Sequence, residues 1–121
     1  MTKNNLICAI TGPTEGIGRA TAEALARQGY SLILLCRNPD KAAKLATDLE
    51  QIASGDIETV LCDLSDLDSV REAANRIAAH YERLDLLINN AGVVLNKRQL
   101  NDAGLEMMFA TNHLGHFLLT R

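Results

Sequence analysis

The stretch "TGPTEGIGRATA", Thr11 to Ala22, places glycines at 12, 16 and 18 directly after a short apolar run, and an alanine-rich helical pattern follows. A dinucleotide pyrophosphate is held by backbone N–H donors, close backbone approach and a helix N-terminus aimed at it. This stretch has the residue types for all three. Gly12 suits the tight turn, Gly16 leaves no Cβ in the way of a phosphate, and Gly18 lets the helix pack closely, while Thr14, Glu15 and Ile17 fill the loop between them. The helix dipole adds about 0.3–1 kcal/mol for a nearby negative charge. The spacing Gly-x-x-x-Gly-x-Gly is not the G-x-G-x-x-G fingerprint, and as a bare pattern it serves a plain strand-to-helix turn equally well.

Further along the chain, the second apolar run ends at Cys36 and is followed by Arg37 and Asn38. An acidic residue at that place accepts from a ribose 2′-hydroxyl and selects NAD. A guanidinium instead bonds a 2′-phosphate, through charge-assisted contacts of about 1.5–3 kcal/mol each. The expectation is therefore NADP(H) over NAD(H). Asn112 and Gly115 interrupt an apolar helical run, and both are weak helix formers, so a kink or a close contact is expected there. His113 and His116 flank Asn112 and read as packing or surface groups.

These residues need elements to position them. Four near-continuously apolar runs, Leu6–Thr11, Ser31–Cys36, Ile57–Cys62 and Leu84–Asn89, read as parallel strands covered on both faces. Amphipathic helices lie between them. Ile17, Thr21, Ala24, Leu25 and Gln28 share one face of the first, which stops at Gly29. Asn38 and Pro39 open the second as N-cap and first helical residue, with Ala42, Leu45, Ala46, Leu49 and Ile52 on its apolar face. The third repeats Leu67, Val70, Ala74, Ile77 and Tyr81 at three-four spacing, and Ser65 with Asp68 resembles a capping box. A polar loop, Val94 to Asp102, precedes a last helical segment, 104–121. The order βαβαβαβα makes a parallel sheet with strand order 3-2-1-4 and helices on both faces, the first half of a doubly wound fold.

Composition narrows the function classes. At 121 residues, 47% hydrophobic and 22% charged, the chain is one ordinary globular domain by length. A net charge of -3 argues against a nucleic-acid binder working through a basic face. The longest aliphatic run, Leu32–Cys36, is far short of the roughly 20 residues of a membrane span, and no signal region opens the chain, so the expected location is cytoplasmic. Cys8, Cys36 and Cys62 lack Cys-x-x-Cys spacing and read as small buried residues, and no ligand spacing joins them to His80, His113 or His116, so no metal site is expected.

Four motifs in order resemble the short-chain dehydrogenase/reductase family. "TGPTEGIG" resembles its Thr-Gly-x-x-x-Gly-Ile-Gly signature, "CDLSD" at 62–66 its acidic residue after strand three, and "NNAG" at 89–92 its motif after strand four. "GLEMMFATNHLGHFLLT" at 104–120 is similar to the segment carrying the family's helix-four asparagine, above all in the retinol-dehydrogenase and protochlorophyllide-reductase-like branch. The resemblance implies a Rossmann-type oxidoreductase that transfers hydride between a nicotinamide and a carbonyl or alcohol carbon. It implies that Asp63, with Leu64 beside it, bonds the adenine amino group. Asn90, Ala91 and Gly92 would approach the ribose and brace the sheet, whereas Asn89 could tie the strand-four end to the Thr11 turn. Asn112 would hold a water in the proton relay. Glu15 stands where some NADP-dependent members carry a basic residue, so its carboxylate could weaken the preference for NADP or pair with Arg37.

The family's chemistry uses a Tyr-x-x-x-Lys pair and an upstream serine. Leu34 follows Tyr30 by four residues and Asp85 follows Tyr81 by four, so neither tyrosine fits. The expectation is a truncated NAD(P)-binding domain, 1–121, ending before the fifth strand, with a carbonyl or alcohol substrate engaged only together with the missing half. The alternatives are a catalytically incomplete dinucleotide-binding module and a sheet-completing interaction fragment. An open strand-four edge and the last helix, with Phe109, Phe117, Leu118 and Leu119, lead to an expectation of self-association.

Overall fold

The computed structural model describes residues 6–14 and 16–90. Its elements are β1 (Ile7–Thr11), α1 (Gly16–Arg27), β2 (Ser31–Cys36), α2 (Pro39–Glu50), β3 (Ile57–Leu61), α3 (Leu67–His80) and β4 (Leu86–Ile88). All strand pairs are parallel, and the sheet order is β3-β2-β1-β4, as the alternation of elements predicts. Ile7–Thr11 lies opposite Ser31–Leu35, and Leu32–Cys36 opposite Ile57–Leu61. Only three rungs join β1 to β4, from Cys8–Leu86 to Ile10–Ile88.

Period-2 alternation divides the central strands between two cores. Cys8, Ile10, Leu32, Leu34 and Cys36 point to one face, where Ala22 and Ala26 of α1 and Ala42, Leu45 and Leu49 of α2 cover them. Ala9, Ile33 and Leu35 point to the other and meet Val60, Cys62, Leu64 and, from α3, Val70 and Ala73. Burial on both faces is why β1 and β2 read as unbroken apolar runs. All three thiols are buried, and burial pushes each up to about 11, so they are packing groups at neutral pH.

Several local expectations are corrected. The buried face of α1 is Gly18, Ala22 and Ala26, not the stripe through Ile17, and Ile17 is 79% exposed. The helix lies so close to the strand-to-helix turn that only Gly and Ala fit beneath it, whereas counting large apolar residues picks the neighbouring stripe. The cap of α3 is Asp66, whose carboxylate accepts from the Asp68 N–H at 3.0 Å, so the cap stands one residue beyond Ser65 and the expected Ser65–Asp68 box does not form. β3 stops at Leu61 and β4 covers only 86–88 of the expected 84–89. Asp85 forms the start of that strand in another way, through its side chain: its carboxylate accepts the Ile7 N–H at 2.8 Å while its own N–H donates to the Ile7 carbonyl at 2.9 Å.

α2 begins as expected. Asn38 Oδ1 accepts from the N–H groups of Asp40 and Lys41 at 2.9 and 3.1 Å, with Pro39 inside the first turn. The apolar face of α2 also holds, with Ala46 and Ile52 partly buried against the core. Arg19 joins α1 to α2 by an ion pair to Asp48 at 3.0 Å, and pairs with Glu23 of its own helix at 3.1 Å.

Candidate functional site

In a parallel sheet every strand delivers its following loop to the same edge. Here that edge collects Gly12 after β1, Arg37 after β2, Asp63 after β3 and Asn90 after β4. The strand order reverses direction between β1 and β4, and ligands of open α/β sheets bind at such a switch point.

The glycine turn sits beside it. Gly12 and Gly16 have φ of 63° and 62°, the left-handed region that side chains disfavour. A Cβ at Gly16 would meet nothing within 4 Å, so its requirement is conformational and the space beside it is open. Gly18 is the reverse case: a Cβ there would collide with the Gly12 carbonyl oxygen and Asn90 Nδ2. Pro13 is fully buried inside the turn, and Thr14 is half-buried. The open room at Gly16, with α1 starting at the same residue, fits an anionic group held by backbone amides.

Asn90 holds this turn to β4. Its N–H donates to Thr11 Oγ1 at 2.9 Å, and its Nδ2 donates to the Gly12 carbonyl at 3.0 Å. The Thr11 hydroxyl, 1% exposed, donates in turn to the Ile88 carbonyl at 3.5 Å. Asn90 thus makes a tie to the Thr11 turn of the kind considered for Asn89, and Asn89 is exposed. Among the described residues no hydrogen bond is made to the side-chain oxygen of Asn90.

Arg37 is exposed, and no ion pair engages it among the described residues. Asn38 beside it uses its side-chain oxygen to cap α2. Sequence reasoning passed over Lys41, an exposed cation in the first turn of the same helix four residues beyond Arg37. The signal was present as a second positive charge just past the Asn38-Pro39 helix start.

Asp63 is half-buried at the end of β3, and Leu64 beside it is buried in the second core. One carboxylate oxygen, Oδ1, accepts from the Ser65 N–H at 3.0 Å and the Ser65 hydroxyl at 2.7 Å. The Asp63 N–H donates to Ser69 Oγ at 2.9 Å. Ser65 and Ser69 were missed as partners of this aspartate; a serine two residues after an aspartate is the signal that could have found the first. Glu15, Ala91, Gly92 and Asn112 lie outside the described residues, as do the polar loop and the segment 104–121.

A sequence model of short chain dehydrogenases matches residues 6–121. The chain belongs to the short-chain dehydrogenase family. Short-chain dehydrogenases are oxidoreductases that bind a nicotinamide cofactor. Human retinol dehydrogenase 13 is 44% identical over 112 residues, which is 92% of this chain and 34% of that protein. The chloroplastic short-chain dehydrogenase TIC 32 B of Brassica napus is 42% identical over 118 residues, 96% of this chain and 37% of that one. A short chain dehydrogenase from Shigella flexneri, solved in complex with NADP, superposes with a TM-score of 0.82 at 29% identity, covering 98% of this chain and 52% of the other. The chain spans about a third of the length of the curated relatives it matches. No helix among the described residues is long and apolar enough to cross a membrane, and none of their His, Cys, Asp and Glu residues group as a metal site.

Proposed function

We propose that this chain is the NADP(H)-binding portion of a short-chain oxidoreductase. The observation that carries the reading is the convergence of the glycine turn, Arg37, Asp63 and Asn90 on one sheet edge, with an exposed guanidinium, in no ion pair among the described residues, after β2 where NAD selection would need a carboxylate. The nicotinamide supplies a hydride donor or acceptor when bound. The chain's own groups do the holding. Amides at the start of α1, with Gly12 and Gly16 shaping the approach, receive the pyrophosphate. Arg37, assisted by Lys41, receives the 2′-phosphate, and the open oxygen of Asp63 receives the adenine amino group. Asn90 keeps the turn in register with β4.

The substrate class is a carbonyl or alcohol carbon. The name of the human relative, retinol dehydrogenase 13, supports a lipophilic one. Neither tyrosine among these residues is followed four positions later by lysine, so residues 1–121 hold no Tyr-x-x-x-Lys proton donor. Without such a donor the chain is a dinucleotide-binding module, which the turnover test below separates. Association through β4, where Leu86 is 38% exposed and Leu84 just before the strand is 37% exposed, belongs to the same proposal, together with a cytoplasmic location. Sedimentation and cell fractionation test those two points.

The decisive experiment titrates NADPH and NADH by nicotinamide fluorescence. NADPH is expected to bind about one to two decades more tightly, from the charge-assisted contacts of Arg37, and Arg37→Asp to reverse the order. Equal affinities, or a ratio unmoved by Arg37→Asp, would refute the NADP assignment. Turnover of a carbonyl panel by the purified 121-residue chain would refute the binding-module reading.

A further inference from the structure

The two hydrogen bonds from Ser65 to Asp63 do more than close a turn. The backbone of Asp63 is fixed by Ser69 Oγ on its N–H at 2.9 Å and by the Asp66 N–H on its carbonyl at 3.0 Å. The side chain is fixed separately, since both Ser65 donors converge on the same oxygen, Oδ1, at 3.0 and 2.7 Å. Ser65 itself is only 8% exposed, so its hydroxyl is held among packed neighbours rather than turning in water. Oδ2 takes no hydrogen bond among the described residues, and Asp63 stays half-exposed on the edge that carries Arg37 and Gly12. The outcome is a carboxylate with one oxygen anchored and the other presented.

We infer that Ser65 is a positioning residue for base recognition: it locks Asp63 so that Oδ2 faces a ligand's exocyclic amino group, and thereby sets the preference for adenine over hypoxanthine. This rests on the proposed contact between Asp63 and the adenine. Hypoxanthine replaces the amino donor with a carbonyl oxygen, which a fixed carboxylate repels. A carboxylate free to rotate relieves that repulsion by turning away, and gains less from adenine because binding must then immobilise it. Immobilising one such side chain corresponds to a loss of about three- to tenfold in affinity.

The test measures dissociation constants of the protein for NADPH and for its hypoxanthine analogue, and reads their ratio. A serine that merely capped the start of α3 would weaken both ligands alike and leave the ratio in place. The expected result is a ratio that favours adenine in the wild type, falls in Ser65→Ala, which loses the hydroxyl bond but keeps the backbone N–H bond to Oδ1, by at most about the three- to tenfold of a fully released side chain, and is restored in Ser65→Thr, which keeps the hydroxyl. Ser65→Cys, with similar volume and a weak donor, gives the same reading should Ser65→Ala fail to fold. Asp63→Ala separates the two levels of the argument. If Asp63→Ala leaves the ratio unchanged, or the wild type binds neither ligand, the adenine contact itself is overturned. If Asp63→Ala abolishes the preference while Ser65→Ala and Ser65→Cys keep it, the role of Ser65 is overturned and the contact stands.

Discussion

Replacing Gly18 by alanine sets two effects of known sign against each other. Gly18 is a helical residue of α1, so alanine gains about 1 kcal/mol of helix propensity. Against this, the added methyl would occupy the space of the Gly12 carbonyl oxygen and Asn90 Nδ2. The first is backbone and cannot rotate away; overpacking of this kind costs about 1–3 kcal/mol. Displacing the Asn90 amide also breaks its bond to Gly12, worth about 0.5–1.5 kcal/mol. The collision therefore wins, with a net loss of about 0.5–3.5 kcal/mol. Urea unfolding followed by circular dichroism measures it. Removing the Asn90 side chain should relieve part of the collision, so Gly18→Ala is expected to cost less on an Asn90→Ala background than on the wild type. A Gly18→Ala protein as stable as the wild type, or more so, would refute the claim that close approach fixes this glycine.

Thr11→Val keeps the shape but removes the hydroxyl that accepts from the half-buried Asn90 N–H and donates to Ile88; a loss of about 0.5–1.5 kcal/mol is expected in urea unfolding. Acid should destabilise the fold through two carboxylates. Glu58 is held below its ordinary value of 4.5 chiefly by the Tyr81 hydroxyl and then by Arg76, and Asp85 below 3.8 chiefly by the Ile7 N–H. Their contribution is present above those ordinary values and is lost as pH falls below them, so thermal midpoints should decline there, and less steeply in Asp85→Asn. Alkali acts through Tyr81, which burial and then the bond to Glu58 push from 10.0 up to about 12. Its contribution is complete below pH 10.0 and is lost as pH rises toward about 12, a decline that Tyr81→Phe should not show.

The fold was legible where burial is two-sided or a cap is built from one residue type. β2 is apolar at Leu32 through Cys36 because both its faces are covered, and Asn38-Pro39 is a helix start with a mechanism. α1 was legible as a helix but not in its orientation. Its inward residues are Gly18, Ala22 and Ala26, whose value lies in how little room they take, and a hydrophobic pattern does not register smallness. The site was legible where backbone conformation demands glycine, as at Gly12 and Gly16. It was less legible where identical types stand side by side: the sequence alone does not say that Asn90 is the residue whose amide reaches the Gly12 carbonyl. Hydroxyl partners such as Ser65 and Ser69 depend on turn geometry that emerges only once β3 and α3 are placed.

β4 shows how side chains can supply what a short ladder does not. Three rungs give few backbone bonds to fix the register of this strand against β1. Both of its ends are instead pinned from outside the ladder. At the start, the Asp85 carboxylate and N–H grip both backbone groups of Ile7. At the finish, the Thr11 hydroxyl and the Asn90 amide join Ile88, Asn90 and Gly12 in one connected set of bonds. A one-residue slip of β4 would break every one of these and turn its side chains to the opposite faces. The same slip would withdraw Asn90 from Gly12, and with it the support of the turn that the phosphate reading requires. The register of β4 and the shape of the glycine turn are therefore one structural variable, set by residues 79 positions apart along the chain.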